Sequence, residues 1–262
     1  MSLSAELKEK LRALAEKYEA ADFLNDDPSR FLRWYSAAAD IETASFIAAM
    51  LSFGNRKQFI PKIQSIFELA DAHGGMANWL SSGEYRAHFY RFADACGCAG
   101  DYNKKFYRFY SYEDMAVLFD SLHDILKEGG TMGEYVQKRQ SAEPEKKLCE
   151  VISSSFEKCA IVPHGKTSAN KRIQMYLRWM VRRNSPVDVG IWNWFSPADL
   201  IIPLDTHVIQ ESEKFSILPK KSGATLKNAL ALTEAMKEIW PDDPCKGDFA
   251  LFGLGVDSDA DA

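Results

Sequence analysis

The sequence predicts an all-α protein, on three observations. Apolar residues recur at spacings of three and four through most of the chain, convincing period-two alternation is missing, and glycine or proline punctuates the periodic stretches at helix-length intervals. Residues 3–21 set Leu3, Leu7, Leu11, Leu14 and Tyr18 on one side of an amphipathic helix. Asp27-Pro28 starts a shorter one, with an Asp cap ahead of a proline suited to a first helical turn. The segment 40–53 is apolar nearly all round and reads as a central core helix. Helices over about 57–72 and 76–94 follow, punctuated by Gly74-Gly75 and Gly83. In the next expected helix, 103–126, Phe106, Tyr107, Phe109, Tyr110 and Tyr112 interleave with Lys104, Lys105 and Arg108. Such interleaving stacks bases in single-strand binders, although this spacing assigns most of the rings to the core. Gly129-Gly130 precedes a helix over 132–140, and Glu143-Pro144 starts another that runs to about Cys159. A basic helix over 171–183 leads into a loop from Asn184 to Phe195, and the last helices fall near 206–214, 224–239 and 246–254. The acidic tail from Asp257 is expected to fray.

With 262 residues and 46% apolar content the chain can bury a sizeable core, which suits one all-helical unit of two lobes with a cleft between them. Residues 40–160 would supply the first lobe and the core helices, and 161–256 a hairpin-like segment, the basic helix and an aspartate motif. No run of about 18 apolar residues occurs, so no membrane span is expected. The N-terminus is a charged helix without a signal-peptide core, which points to the cytoplasm. Cys96, Cys98, Cys149, Cys159 and Cys245 are odd in number and scattered, against a disulfide framework. Cys96-Gly97-Cys98 is a close pair with no further ligands near it, and the five histidines form no array, so neither metal nor cofactor is expected. His207, beside Asp205, reads as a buried hydrogen-bonded imidazole. Gly165-Lys166-Thr167 lacks the first glycine and the preceding strand of a phosphate loop.

Charge and one carboxylate carry the functional signal. The formal net charge is −5, yet Glu157 to Arg183 holds seven Lys/Arg and one Glu, so a local +6 sits on a remainder of −11. On the helix over 171–183, Ile173, Tyr176, Leu177 and Met180 form an apolar stripe. Lys171, Arg178 and Arg182 lie at i, i+7 and i+11 with Gln174 between them. That reads as a phosphate-docking face, with DNA or RNA as the partner. Downstream, the apolar run Leu200 to Leu204 delivers Asp205 to a partly desolvated place, followed by Thr206 and His207. A carboxylate there can act as a base or stabilise developing positive charge. It can equally cap the helix that opens at Thr206.

The order of Pro163-His-Gly-Lys-Thr-Ser-Ala169, a helix opening with Lys171, Pro203-Leu-Asp-Thr-His207, and a closing Asp248-Phe-Ala-Leu-Phe-Gly-Leu-Gly255 resembles the helix-hairpin-helix (HhH-GPD) DNA glycosylase superfamily. It looks most like an uncharacterised bacterial branch with similarity to archaeal oxidised-guanine DNA glycosylases. The likeness is strongest over Val162 to Val256 and weaker over Asp40 to Asn55. It implies base-excision repair of an oxidised purine, at the nucleoid: the hairpin around Gly165 and Lys166 holds the DNA backbone with Arg172, Arg178 and Arg182. Lys171 attacks the sugar, with Lys166 as the alternate, and allows β-elimination, while Asp205 assists. Trp192 and Trp194 would wall a base pocket, and Asn55 or Arg56 would be the wedge. Two other readings stand beside it, a non-catalytic nucleic-acid-binding member of the same fold and a hydrolase of small N-glycosides. The chain departs from the pattern in keeping only Gly165 of two hairpin glycines, in lacking an iron–sulfur loop, and in an insertion, Asn184 to Pro197. That insertion stretches the spacing from Lys171 to Asp205 to 34 residues.

Overall fold

The computed structural model describes residues 2–25, 27–89 and 104–260; Cys96 and Cys98 lie outside the described residues. No described helix is long and apolar enough to cross a membrane. Helices dominate, and a two-stranded hairpin is the sheet found among the described residues. The chain divides into two compact units, Phe31–His164 and a discontinuous one made of Met1–Arg30 with Gly165–Ala262.

The continuous unit is built around α2 (Ala38–Leu51), buried without interruption from Glu42 to Leu51, as its all-round apolar sequence requires. The buried Glu42 carboxylate accepts the Gly133 N–H at 2.8 Å and so satisfies the first turn of a neighbouring helix. Asn55 caps α3 (Arg56–Asp71), its side chain accepting from the Lys57 N–H at 2.9 Å. The helix expected over 76–94 stops early, because Gly83 adopts φ 79° and ends α4 (Met76–Ser82). Residues 104–126 depart from the single helix expected over 103–126, whose first residue lies outside the described ones. Lys105–Tyr107 (β1) and Tyr110–Ser111 (β2) pair antiparallel, and only then does α5 (Tyr112–Gly129) begin. The cause is local: aromatic side chains favour strands, and the capping box of Ser111 with Asp114 fixes the helix start at Tyr112. α6 (Met132–Ala142) and α7 (Leu148–Ser155) complete the unit; Pro144 sits in a turn ahead of α7 and does not start it.

In the discontinuous unit, α1 (Ala5–Tyr18), capped by Ser4, packs against α11 (Lys246–Ala260). The contact is close because Gly253 has no side chain: a Cβ there would come within 2.2 Å of the Tyr18 ring. The first residue of the acidic tail, Asp257, is held. Asp257 accepts from Tyr18 Oη at 2.6 Å and from Lys17 Nζ at 2.9 Å, and α11 runs to Ala260. α11 packs in turn on α9 (Thr206–Lys214). α8 (Lys171–Val181) is buried from Ile173 through Val181, and α10 (Leu226–Lys237) turns Ala229, Leu232, Thr233 and Met236 inward.

Candidate functional site

Two elements bring Lys171 and Asp205 together. The segment before α8 is tied to the start of α10 and the residues just ahead of it by Ala169 N–H to Ala224 O (3.0 Å) and Leu226 N–H to Thr167 O (2.8 Å). Lys171 occupies the first turn of α8 behind Asn170, whose φ of 49° turns the chain into the helix. Asp205 is delivered by the buried run Leu200–Leu204, anchored where the Ile202 N–H meets Thr233 Oγ1 at 3.1 Å. Its Oδ1 caps α9 by accepting from the Val208 N–H at 3.0 Å. Its Oδ2 lies 3.6 Å from Lys171 Nζ, with the lysine and aspartate side chains 31% and 19% exposed. Residues 34 apart in sequence thus set an amine against a carboxylate in a half-buried place.

The pair opens on a small pocket lined also by Phe23, Asp27, Met175, Arg178, Asp248 and Phe252. Its cavity is about 20 Å³, room for about one water molecule, so it bounds reacting atoms and not a whole base. Asp248, like Asp27, is a buried carboxylate of this pocket. Burial pushes its carboxyl up to about 6; Arg178 and Lys171 act against the rise and Asp205 adds to it.

Beneath the pocket lies an ion-pair network. Arg178 donates to Asp248 and, at 3.3 Å, to Asp188. Arg182 donates to Asp188 at 2.5 Å, to Asp243 at 2.8 Å and to Glu19 at 2.8 Å. Both guanidiniums also lie over the Phe249 ring, at 4.4 and 5.1 Å from its centroid. Burial opposes charge on Arg178, but Asp188 and Asp248 outweigh it and raise its pKa; for Arg182, Asp243 and Asp188 do the same.

A model of the protein family of unknown function DUF2400 matches residues 27–257. The chain belongs to that family. Among curated proteins and among solved structures, nothing matches it. The DUF2400 match takes in every pocket residue except Phe23, and all of the ion-pair network except Glu19.

Against this geometry several expected contacts change. Arg178 and Arg182 are only 4% and 1% exposed, so they form internal ion pairs and are not a phosphate-docking face. The two cations meet four carboxylates, and the local +6 of the sequence is largely neutralised from elsewhere in the chain. Trp192 is buried, edge-on to Tyr176 and stacked on Trp194, and neither tryptophan lines the pocket; they pack the insertion and wall no base site there. Gly165 and Lys166 are exposed in the loop before α8, with the Gly165 carbonyl accepting from Asn170 Nδ2 at 3.0 Å, and Lys166 is not a pocket residue. Arg172 is half-buried beside Lys171 on α8. Asn55, a helix cap, and Arg56 belong to the continuous unit.

Reading the sequence also missed residues that matter. Asp188 lies in the insertion Asn184 to Pro197, between Val187 and Val189, where a lone acid between apolar residues signals a buried partner. The insertion returns along the end of α8: the N–H groups of Val189 and Gly190 reach the Trp179 carbonyl, and that of Trp192 reaches Met180. It needs Gly190, at φ 59°, because a Cβ there would lie 2.4 Å from the Arg182 carbonyl oxygen. In the sequence Asp27 capped one expected helix and Asp248 lay in another, and only their meeting in space marks them as pocket residues.

Proposed function

We propose that this DUF2400 protein is a nucleic-acid N-glycosylase that excises a damaged base, an oxidised purine by its resemblance, through Lys171 and Asp205. The observation that carries the reading is the 3.6 Å approach of Lys171 Nζ to Asp205 Oδ2 at the pocket mouth. The lysine nitrogen adds to the sugar C1′ as the C1′–N bond to the base breaks; the bond electrons leave with the base, which takes up a proton. Asp205 stabilises positive charge growing on the sugar and is placed to accept the proton the amine gives up. Opening of the C1′–O4′ bond then gives a Schiff base on Lys171, and loss of a C2′ proton expels the 3′ phosphate. The cavity, with room for about one water, favours a sugar at its mouth with the base outside it.

Borohydride reduction during incubation with duplexes carrying oxidised purines tests this reading. The expected result is a covalent protein–DNA adduct that Lys171→Gln abolishes, with modest loss of affinity. Adduct formation by the Lys171→Gln protein moves the nucleophile to another lysine, Lys166 first. A wild-type protein that traps no lesion, and releases no base, reduces the pair to an ion pair joining α8 to α9 and defeats the proposal.

A further inference from the structure

The aromatic stretch of the continuous unit does not behave uniformly. In the β1–β2 hairpin Phe106, Tyr107 and Tyr110 are buried, whereas Phe109, at the turn, is 59% exposed. Phe109 is held nonetheless. Its ring stacks on Phe53 with centroids 5.1 Å apart and planes 30° from parallel, and it meets Tyr110 edge-on at 4.8 Å. Its carbonyl accepts from Lys105 Nζ at 2.9 Å, and Tyr107 Oη donates to the Phe53 carbonyl at 2.6 Å, tying the hairpin to the end of α2. Arg108, the preceding turn residue, adopts φ 51°, a left-handed conformation that glycine or asparagine takes at lower cost. Its guanidinium lies over Gly54 and 5.8 Å from the centre of the Phe53 ring.

Charge around the ring has one sign. The two touching segments, 53–57 and 104–109, hold Arg56, Lys57, Lys104, Lys105 and Arg108 and no acidic residue, in a chain of net −5. Lys57, Lys104, Lys105 and Arg108 are exposed, and none is paired with a carboxylate among the described residues. An exposed ring seated on a second ring, beside cations without a carboxylate partner among the described residues, offers a π-face to a base and charge to the flanking phosphates. A hydrophobic protein partner would not call for that charge.

We infer that the hairpin tip is a binding site for single-stranded nucleic acid, in which an unpaired base stacks on Phe109 and the adjoining phosphates meet Arg108 and Lys57. The site stands on its own geometry and does not require the lysine chemistry proposed above.

Fluorescence anisotropy of the full-length protein with a labelled oligothymidine of about 15 nucleotides tests it, since single-strand sites of this kind span roughly 4–16 nucleotides. Wild type should bind in a salt-dependent way. Phe109→Ala and Phe109→Leu should each weaken binding by roughly 5- to 150-fold, while Phe109→Trp keeps it. Phe109→Leu preserves an apolar contact with Phe53 and removes only the π-face, so it separates stacking from packing. Arg108→Ala should lower the log–log salt slope by about 0.7. An abasic strand of the same length should bind about as weakly as oligothymidine binds Phe109→Ala, with no further effect of that substitution. In a Lys171→Gln background Phe109→Ala should still weaken oligothymidine binding by the same factor, so loss of trapping and loss of stacking report on different proposals. Equal affinity of wild type, Phe109→Ala and Phe109→Leu for oligothymidine overturns the inference. So does a wild type that leaves the oligonucleotide free, which assigns the patch to a protein partner.

Discussion

Asp205 uses Oδ1 to cap α9 and turns Oδ2 toward Lys171, so its folding role and its proposed chemical role separate by substitution. An asparagine retains a cap acceptor and removes the charge. Asp205→Asn should therefore unfold within a few tenths of a kcal/mol of wild type while borohydride trapping falls sharply, whereas Asp205→Ala should also lose about 1 kcal/mol of stability in denaturant titrations. Comparable losses of stability in both variants would leave Asp205 a structural residue. Asp248 makes a pH prediction. Its folded-state pKa, about 6, lies above the ordinary 3.8, so between these values the folded protein holds a proton that the unfolded chain has lost. The stability this contributes is present in full below about pH 4 and is lost as pH rises through about 6. Measured by urea unfolding, the stability of wild type relative to Asp248→Asn should fall over that window by up to about 3 kcal/mol. A flat difference would mean that Asp248 is ionised throughout.

At the scale of the element, α8 shows what periodicity can and cannot convey. Its apolar stripe was readable, and so was the start of α9, because an aspartate cap marks Thr206 from sequence alone. The same spacing put Arg178 and Arg182 on a solvated face. A stripe of arginines has one periodicity whether it faces phosphate, water or carboxylates, and the deciding partners, Glu19, Asp188, Asp243 and Asp248, lie 163 to 6 residues away from Arg182 or Arg178. The candidate pair Lys171 and Asp205 was legible through motif order, while Asp27 and Asp248 emerged only from packing. The hairpin at 105–111 was lost for a related reason, since adjacent aromatics fit a helix window and a short strand equally well. Burial of the arginines leads to a measurable contrast. Arg182→Ala removes the cation paired with Asp243 and Glu19 and leaves Asp188 with Arg178 alone, and should cost about 3–5 kcal/mol in denaturant unfolding, while Arg182→Met, which refills the volume, should cost less. An Arg182→Ala protein as stable as wild type would place the guanidinium in solvent.

For the whole molecule, the division is unequal in the chain even though each unit is compact. Phe31–His164 is continuous, and its helices pack largely on near neighbours in sequence. The other unit joins Met1–Arg30 to Gly165–Ala262, and α1 finds its main partner, α11, more than two hundred residues later. Loop closure over such a distance is slow compared with local pairing. Pulse-labelled hydrogen exchange during refolding should protect amides of α2 and α5 before those of α1 and α11; simultaneous protection would show that the two units fold as one. On the ribosome the same connectivity imposes a queue. The segment 31–164 can complete its core while synthesis continues, whereas α1 waits for α11. Until α11 has left the exit tunnel, α1 with its leucine face, Phe23 and the carboxylate of Asp27 remain without the partners they meet in the finished protein, a natural substrate for chaperones during translation.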